Sequence, residues 1–382
     1  MKELQHIIFG INKRNSGTFE HSFGLAKALN RKGHKVKYCS HWFDSNPKLI
    51  DVSTGEEREV DIANLKNGEN KILHFHTHTY EHDGLMVPFE GDKFLYTFHA
   101  IPIFLYMNTP ERDKFLKGEM SEKEIKKIVD SKVSDLQKFQ IEISKKASGL
   151  IAISKTHKKV LGLLDFKQPT YVLENVSDFT DLTDQEIFSA KIKANELKNR
   201  LNKENVLLYC GRIYPSKGTS RLFDAFERIK ENYSNSAFVL IGTRKTAEEL
   251  IEHGLNPALV KDVHVVNWLD GSKPEDREKF LGYHFASDVV IQPMISPELY
   301  GKVSLDAMAL GVPVISCESP YTIGNSETAE DIFDSFDFLK KNPSVVKRIT
   351  EKAQKKVFSE NTWDSYIFKL AKAVNEMISR KN

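Results

Sequence analysis

PELYGKVSLDAMALGVPVIS, residues 297–316, reads as a loop, a short helix and a strand in direct succession. Lys302 to Leu310 follow helical spacing, Gly311 can stop the helix, and VPVIS (312–316) is an apolar strand. Glu298 then falls in the loop before the helix, Gly301 at its mouth, and Asp306 about one turn inside. A helix running straight into an apolar strand is half of a βαβ unit, and the rest of the chain repeats that rhythm.

Working outward, DVVIQP (288–293), DVHVV (262–266), AFVLIG (237–242) and NVLLYCG (205–211) are strand-like runs with helical stretches between them. A second series comprises TYVLEN (170–175), GLIAIS (149–154), KFLYTF (93–98), KILHFH (71–76), HKVKYC (34–39) and QHIIFGI (5–11). Between the last two, Phe19, Phe23, Ala26 and Leu29 share one helix face, and Gly33 suits the helix end. Ser177–Glu204 is polar and charged, and reads as a linker plus a solvated helix. The last stretch is helical, with Trp363, Tyr366, Phe368, Leu370 and Met377. The expectation is α/β, with two doubly wound domains. They are an N-terminal domain over 1–180, a linker over 181–204 and a C-terminal domain over 205–360. A C-terminal helix over 361–382 is expected to pack back on the N-terminal domain.

Composition sets the class. At 382 residues the chain holds two or three domains at about 150 residues each. It should bury roughly three quarters of its unfolded surface without disulfide staples. Fifty-five basic residues against 53 acidic ones leave +2, too little to advertise nucleic-acid binding. A near-neutral total still leaves room for a local basic patch, so peripheral membrane contact stays open as a partner surface. Cys39, Cys210 and Cys317 lie far apart with no metal-type spacing, two of them in apolar runs where a buried free thiol is expected. The N-terminus lacks a signal-peptide pattern and no run approaches the ~18 apolar residues of a membrane span, which places the chain in the cytoplasm. Residues 111–146 are expected to form an amphipathic helix on its own domain, with a membrane- or acceptor-binding helix as the alternative. His74, His76 and His78 alternate and would share one strand face, but a third ligand is not identifiable, so no metal is expected.

Two stretches carry the chemistry. The helix opening at Gly301 offers unpaired N–H groups and the positive end of a dipole, suited to phosphate, and Gly301 lets that phosphate approach closely. Carboxylates beside such a site would repel phosphate unless they face hydroxyl-rich groups, and sugars supply those. In LLYCGRIYPSKGTSRLFDAF (207–226) a strand ends at Cys210, and Arg212 and Lys217 follow in the turn. A helix then begins near Thr219 or Ser220, either a natural N-cap. Two cations at the carboxyl end of a strand suit a diphosphate.

The order of these features resembles family 4 retaining glycosyltransferases of the GT-B fold. The "GR…KG" after a strand is followed by Glu298, seven residues, Asp306, an alanine-containing helix and GVPVI. SGTFEHSFGLAKALNRKGHKV (16–36) is similar to that family's glycine loop and "GH-x-V" segment. HFHTH (74–78) and YTFHA (96–100) sit where it carries histidines, and GLIAISKTHKKVL (149–161) and ENVSDFT (174–180) resemble two further segments.

The resemblance implies two Rossmann-like domains facing a central cleft, acceptor on the first and nucleotide-sugar on the second. Arg212 and Lys217 would hold the diphosphate and stabilise the departing charge. Glu298 would grip hydroxyls of the donor sugar, with the backbone of Gly301, Lys302 and Val303 on phosphate or sugar. Asp306 would bind the ribose, His99 would meet the donor sugar near the reacting carbon, and Gly17 would let the first loop close. Thr243 and Arg244, with Asn267 and Trp268, are the candidates for the base. The expected activity is retaining transfer of a hexose-type sugar to a saccharide, glycolipid or glycoprotein acceptor, without metal or other cofactor. Cell-surface polysaccharide or glycoconjugate synthesis at the inner membrane surface would be its setting. Three departures stand out: Asp306 where the family usually has Glu, no glycine in ENVSD, and one glycine before Thr18. A nucleotide-sugar isomerase or hydrolase of the same fold and a non-catalytic nucleotide-sugar binding protein are the alternatives. The first strand lacks a following G-x-G-x-x-G, which disfavours a dinucleotide oxidoreductase.

Overall fold

The computed structural model describes residues 4–11, 17–42, 45–60, 65, 71–77, 93–99, scattered positions between 111 and 142, 144–163, 166–213, 217–271, 273–293, 301–316, 319 and 321–380. The elements in chain order begin with β1 (Gln5–Ile11), α1 (Gly17–Arg31), β2 (Lys35–Trp42), β3 (Ser45–Ile50), β4 (Glu57–Glu59), β5 (Lys71–Thr77) and β6 (Phe94–Phe98). They continue with β7 (Gly149–Ala152), α2 (Lys155–Leu163), β8 (Thr170–Val172), α3 (Asp184–Leu201), β9 (Asn205–Cys210), α4 (Thr219–Asn232) and β10 (Ser236–Ile241). Next come β11 (Val263–Val266), α5 (Pro274–Ala286), β12 (Val289–Ile291), α6 (Lys302–Ala309), β13 (Val314–Ile315), α7 (Ala329–Lys341), α8 (Pro343–Glu360) and α9 (Trp363–Ser379).

The chain divides into two compact units, one of Met1–Asn175 with Trp363–Asn382, the other Val176–Thr362. The first unit holds an eight-stranded sheet in the order β4-β3-β2-β1-β5-β6-β7-β8. From β2 to β8 neighbouring strands are parallel, and β3 and β4 add on antiparallel at the edge. Alternation along the strands sorts the side chains. Ile7, Phe9, Phe75, Phe94, Tyr96 and Leu150 share one apolar cluster, with Phe9 and Phe75 stacked 4.6 Å apart. His6, His74 and His76 alternate with those residues and are buried on the opposite face. α1 buries Leu25, Ala26 and Leu29, and its last turn closes at Gly33 as expected. It also meets α9 at Gly24, where an added Cβ would stand 2.4 Å from the Trp363 ring.

The antiparallel strands β3 and β4 were not expected. Pro47 interrupts the apolar pattern of the first, and the second is ERE, wholly exposed. Their register is held instead by backbone pairing, the Lys48–Glu57 ion pair at 3.0 Å, and a turn in which Asp51 accepts from the backbone N–H groups of Ser53 and Thr54. The stretch expected as an amphipathic helix, 111–146, lies largely outside the described residues, though Ile128 within it is buried.

The second unit is a five-stranded, all-parallel sheet in the order β11-β10-β9-β12-β13. β9 and β10 are buried at every position, the continuous apolar reading of a strand covered on both faces. The segment read as a linker, 181–204, contains the helix α3, which packs on α5 through Ala190 and Ala194. Small residues make that face quiet on a hydropathy count while letting two helix backbones come close. A Thr183–Glu186 capping box fixes its start.

Candidate functional site

The strand order of the second unit reverses between β9 and β12, and an open α/β sheet binds ligands outside the carboxyl ends of strands at such a point. Gln292, just past β12, donates from Nε2 to the Cys210 carbonyl at 3.2 Å and tethers the two strand ends. The turn after β9 is pinned by Tyr209, whose hydroxyl donates to the Arg212 carbonyl at 2.9 Å and leaves the Arg212 side chain exposed. Lys217, just ahead of the next helix, is half-buried.

The helix after that turn starts at Thr219, but neither Thr219 nor Ser220 caps it. The cap is Gly218, at φ 69°, and no side chain bonds the first N–H groups. The reason is steric: a Cβ at 218 would lie 2.1 Å from the Pro293 carbonyl oxygen, backbone that cannot yield. α6 likewise starts on a glycine, Gly301, with no side-chain cap. Elsewhere in this unit α3 and α7 carry threonine capping boxes, and α5 and α8 open with proline. The two helices that follow the central strands are thus the ones whose N-termini present uncapped glycine mouths.

Gly211 and Gly242 end β9 and β10 side by side, and a Cβ at Gly242 would stand 3.5 Å from both the Gly211 carbonyl oxygen and the Trp268 ring. Trp268 is 39% exposed with exposed Asn267 beside it in sequence, and Arg244, two residues past Gly242, is exposed as well. Thr243 is buried, its hydroxyl accepting from Lys245 N–H at 3.2 Å.

Asp306 is only 3% exposed. It accepts a 2.7 Å hydrogen bond from Ser177 Oγ, and Lys302 Nζ stands 3.7 Å away while pairing with Asp178 at 2.5 Å. Burial pushes the Asp306 carboxyl above the usual carboxylate range; the charge of Asp178 adds to the rise, and Lys302 and Ser177 oppose it. Ser177 N–H also donates to the Asn361 carbonyl at 3.0 Å, so α6 is tied to both segments at which the chain changes unit. Sequence reading missed Ser177 and Gln292, because nothing local marks partners 129 and 82 positions away.

The first unit carries a histidine cluster at the carboxyl ends of β5 and β6. His76 Nδ1 lies 3.1 Å from His99 Nε2, and the His21 ring on α1 stands 5.7 Å from His76 and 5.1 Å from His99. Trp363 and Tyr366 of α9 close on His21 at 5.5 and 5.1 Å. Gly17 opens α1. His74 turns to His6 instead, Nε2 to Nδ1 at 3.0 Å. Among the described residues no group of three or more His, Cys, Asp or Glu could hold a metal ion, and no helix is long and apolar enough to cross a membrane. Cys39 and Cys210 are buried free thiols, Cys39 pushed up to about 12 by desolvation. Glu298, Cys317 and His78 lie outside the described residues.

The two units together are the GT-B fold: the chain is similar in structure to glycosyltransferases of that class. HepE of Anabaena, solved with UDP and glucose, matches with a TM-score of 0.65 over 98% of this chain and 100% of that one, at 14% identity. The catalytic domain of starch synthase IV from Arabidopsis thaliana, solved with ADP and acarbose, matches at 0.64 over 99% of each, also at 14% identity. In sequence, residues 191–356, all within the second unit, match the family described as Glycosyl transferases group 1. A lipopolysaccharide 1,2-N-acetylglucosaminetransferase of Salmonella typhimurium is 28% identical over 192 residues, 45% of this chain and 49% of that protein. The match thus spans about half the length of that relative.

Proposed function

We propose that the chain is a retaining glycosyltransferase of family 4, moving a hexose-type sugar from a nucleotide-sugar to a saccharide, lipid-linked or protein-linked acceptor. The observation that carries this reading is the pair of uncapped glycine helix starts at Gly218 and Gly301, set with Arg212 and Lys217 around the switch point of the second sheet. Helix N-termini and two cations suit a diphosphate that must leave with its charge stabilised, and they do so without a metal. Glu298 takes donor-sugar hydroxyls, the Gly301–Val303 backbone the phosphate or sugar, and Asp306 the ribose. Trp268, exposed beside Gly242, offers a face on which a base can stack, with Thr243, Arg244 and Asn267 around it. His99 meets the donor sugar near the reacting carbon.

The match to an N-acetylglucosamine transferase acting on lipopolysaccharide, and a structural neighbour solved with UDP, support a UDP-sugar donor and a saccharide acceptor. Cell-surface glycoconjugate synthesis in the cytoplasm, at the inner membrane surface, is the setting that fits such an acceptor. The test is a panel of radiolabelled nucleotide-sugars incubated with the full chain, with and without saccharide acceptors. Acceptor-dependent release of nucleoside diphosphate supports the reading. Equal release without acceptor makes the chain a hydrolase, interconversion of the sugar an isomerase, and binding without turnover a binding module.

A further inference from the structure

His76 and His99 sit at the ends of neighbouring strands, Nδ1 of the first 3.1 Å from Nε2 of the second, with rings tilted 32° and centroids 5.3 Å apart. One proton lies between the two nitrogens, and its owner fixes the tautomer of both rings. The other nitrogen of His76, Nε2, is buried and meets no hydrogen-bond partner among the described residues. Were His99 the donor, the proton of a neutral His76 would have to sit on that Nε2, an orphaned buried N–H of the kind native interiors avoid. With His76 the donor, Nε2 keeps only a bare lone pair, the lesser fault. Burial, with the charge of His21 adding to it, holds His76 well below the ordinary histidine range, so it carries a single proton.

We infer that His76 is a positioning residue: its Nδ1–H donates to His99 Nε2 and so holds His99 in the Nδ1-protonated tautomer. This presents a half-buried imidazole whose Nδ1–H is a donor of fixed direction rather than a ring free to exchange tautomers. A sugar hydroxyl, or charge developing beside the anomeric centre, would meet a donor there. That last consequence rests on the proposed sugar contact of His99; the tautomer does not.

The experiment is a two-bond 1H–15N correlation spectrum of the full chain, labelled with 15N-histidine, near neutral pH. His99 signals are assigned by their loss in His99→Gln. The expected spectrum shows His99 protonated at Nδ1 and bare at Nε2. His76→Phe removes the donor, and His99 moves toward the Nε2–H tautomer that unrestrained histidines favour. The kcat of that variant falls about tenfold with little change in the donor KM. His76→Asn, whose Nδ2 takes the place of Nδ1, keeps the wild-type tautomer and most of the turnover. His99 protonated at Nε2 in the wild-type protein, or a tautomer indifferent to His76→Phe, overturns the inference. If His76→Phe does not fold, the wild-type and His76→Asn spectra decide. If the tautomer behaves as inferred while His99→Gln turns over at the wild-type rate, the assignment of His76 stands and the sugar contact of His99 falls.

Discussion

Asp306 carries two demands that pull in opposite directions. In the ribose contact proposed for it Asp306 is wanted ionised, yet burial raises its pKa above the usual value of 3.8. An acid raised in the folded state stabilises the fold while protonated; that contribution is complete below the unfolded value and is lost as pH rises through the folded one. At pH 7 the carboxylate therefore costs stability. Asp306→Asn should therefore raise Tm at pH 7, by an amount that shrinks as the pH is lowered. The same variant should weaken the Kd of a nucleoside diphosphate, while Glu298→Ala leaves that Kd nearly constant and lowers kcat. A lower Tm for Asp306→Asn would make the Ser177–Asp306–Lys302 cluster a structural anchor instead. Arg212 is exposed, and exposed cations contribute little to folding. Arg212→Ala and Lys217→Ala should each cut kcat/KM by about 10²-fold with a steady ligand-free Tm. If either variant unfolds while its folded fraction stays fully active, that residue is structural. At this scale the sequence showed which residues cluster near strand ends, through spacing and turn chemistry. It did not show their partners: Ser177 for Asp306 and His76 for His99 are tertiary neighbours with no local signature.

The elements were legible in proportion to how apolar they are. The buried strands announced themselves as apolar runs, nearly unbroken in Asn205–Cys210 and Ser236–Ile241 and interrupted by histidines in Gln5–Ile11 and Lys71–Thr77. β3 and β4 did not, because edge strands are held by backbone pairing and charge rather than by burial. The helix in the segment read as linker was expected to be solvated, because the stripe that α3 buries is mostly alanine, which a hydropathy count barely registers. The N-cap of α4 was misplaced because the constraint on Gly218 comes from Pro293, far along the chain. Close approach also governs α1 against α9. Gly24→Ala would drive a methyl into the Trp363 ring and should cost about 1–3 kcal/mol, read as a lower urea midpoint. Trp363→Leu, which vacates that space, should make the added methyl nearly harmless, giving a favourable coupling in the double-mutant cycle. Equal costs of Gly24→Ala in both backgrounds would mean the two helices are not held by this contact.

For the molecule as a whole, buried neutral histidines set the acid limit of stability. His157 in the first unit and His284 in the second are pushed down to about 4 by desolvation from an ordinary 6.5, and His74 and His76 shift the same way. A base lowered in the folded state stabilises above its unfolded pKa and loses that contribution as pH falls toward the folded value. Stability should therefore drop between about pH 6.5 and 4, at about 1.4 kcal/mol per unit for each of His157 and His284. The urea midpoint followed across that range measures it, and His284→Asn should flatten part of the slope; an unchanged slope would mean His284 does not set it. On the function proposed above, the chain transfers a sugar with retention, its diphosphate neutralised by Arg212, Lys217 and two helix starts rather than by a metal. Proton NMR of the transfer reaction run in EDTA tests it most directly. Release of nucleoside diphosphate and a product with the anomeric configuration of the donor are expected; an inverted product, or turnover that appears only when Mg²⁺ or Mn²⁺ is added back, would overturn the reading.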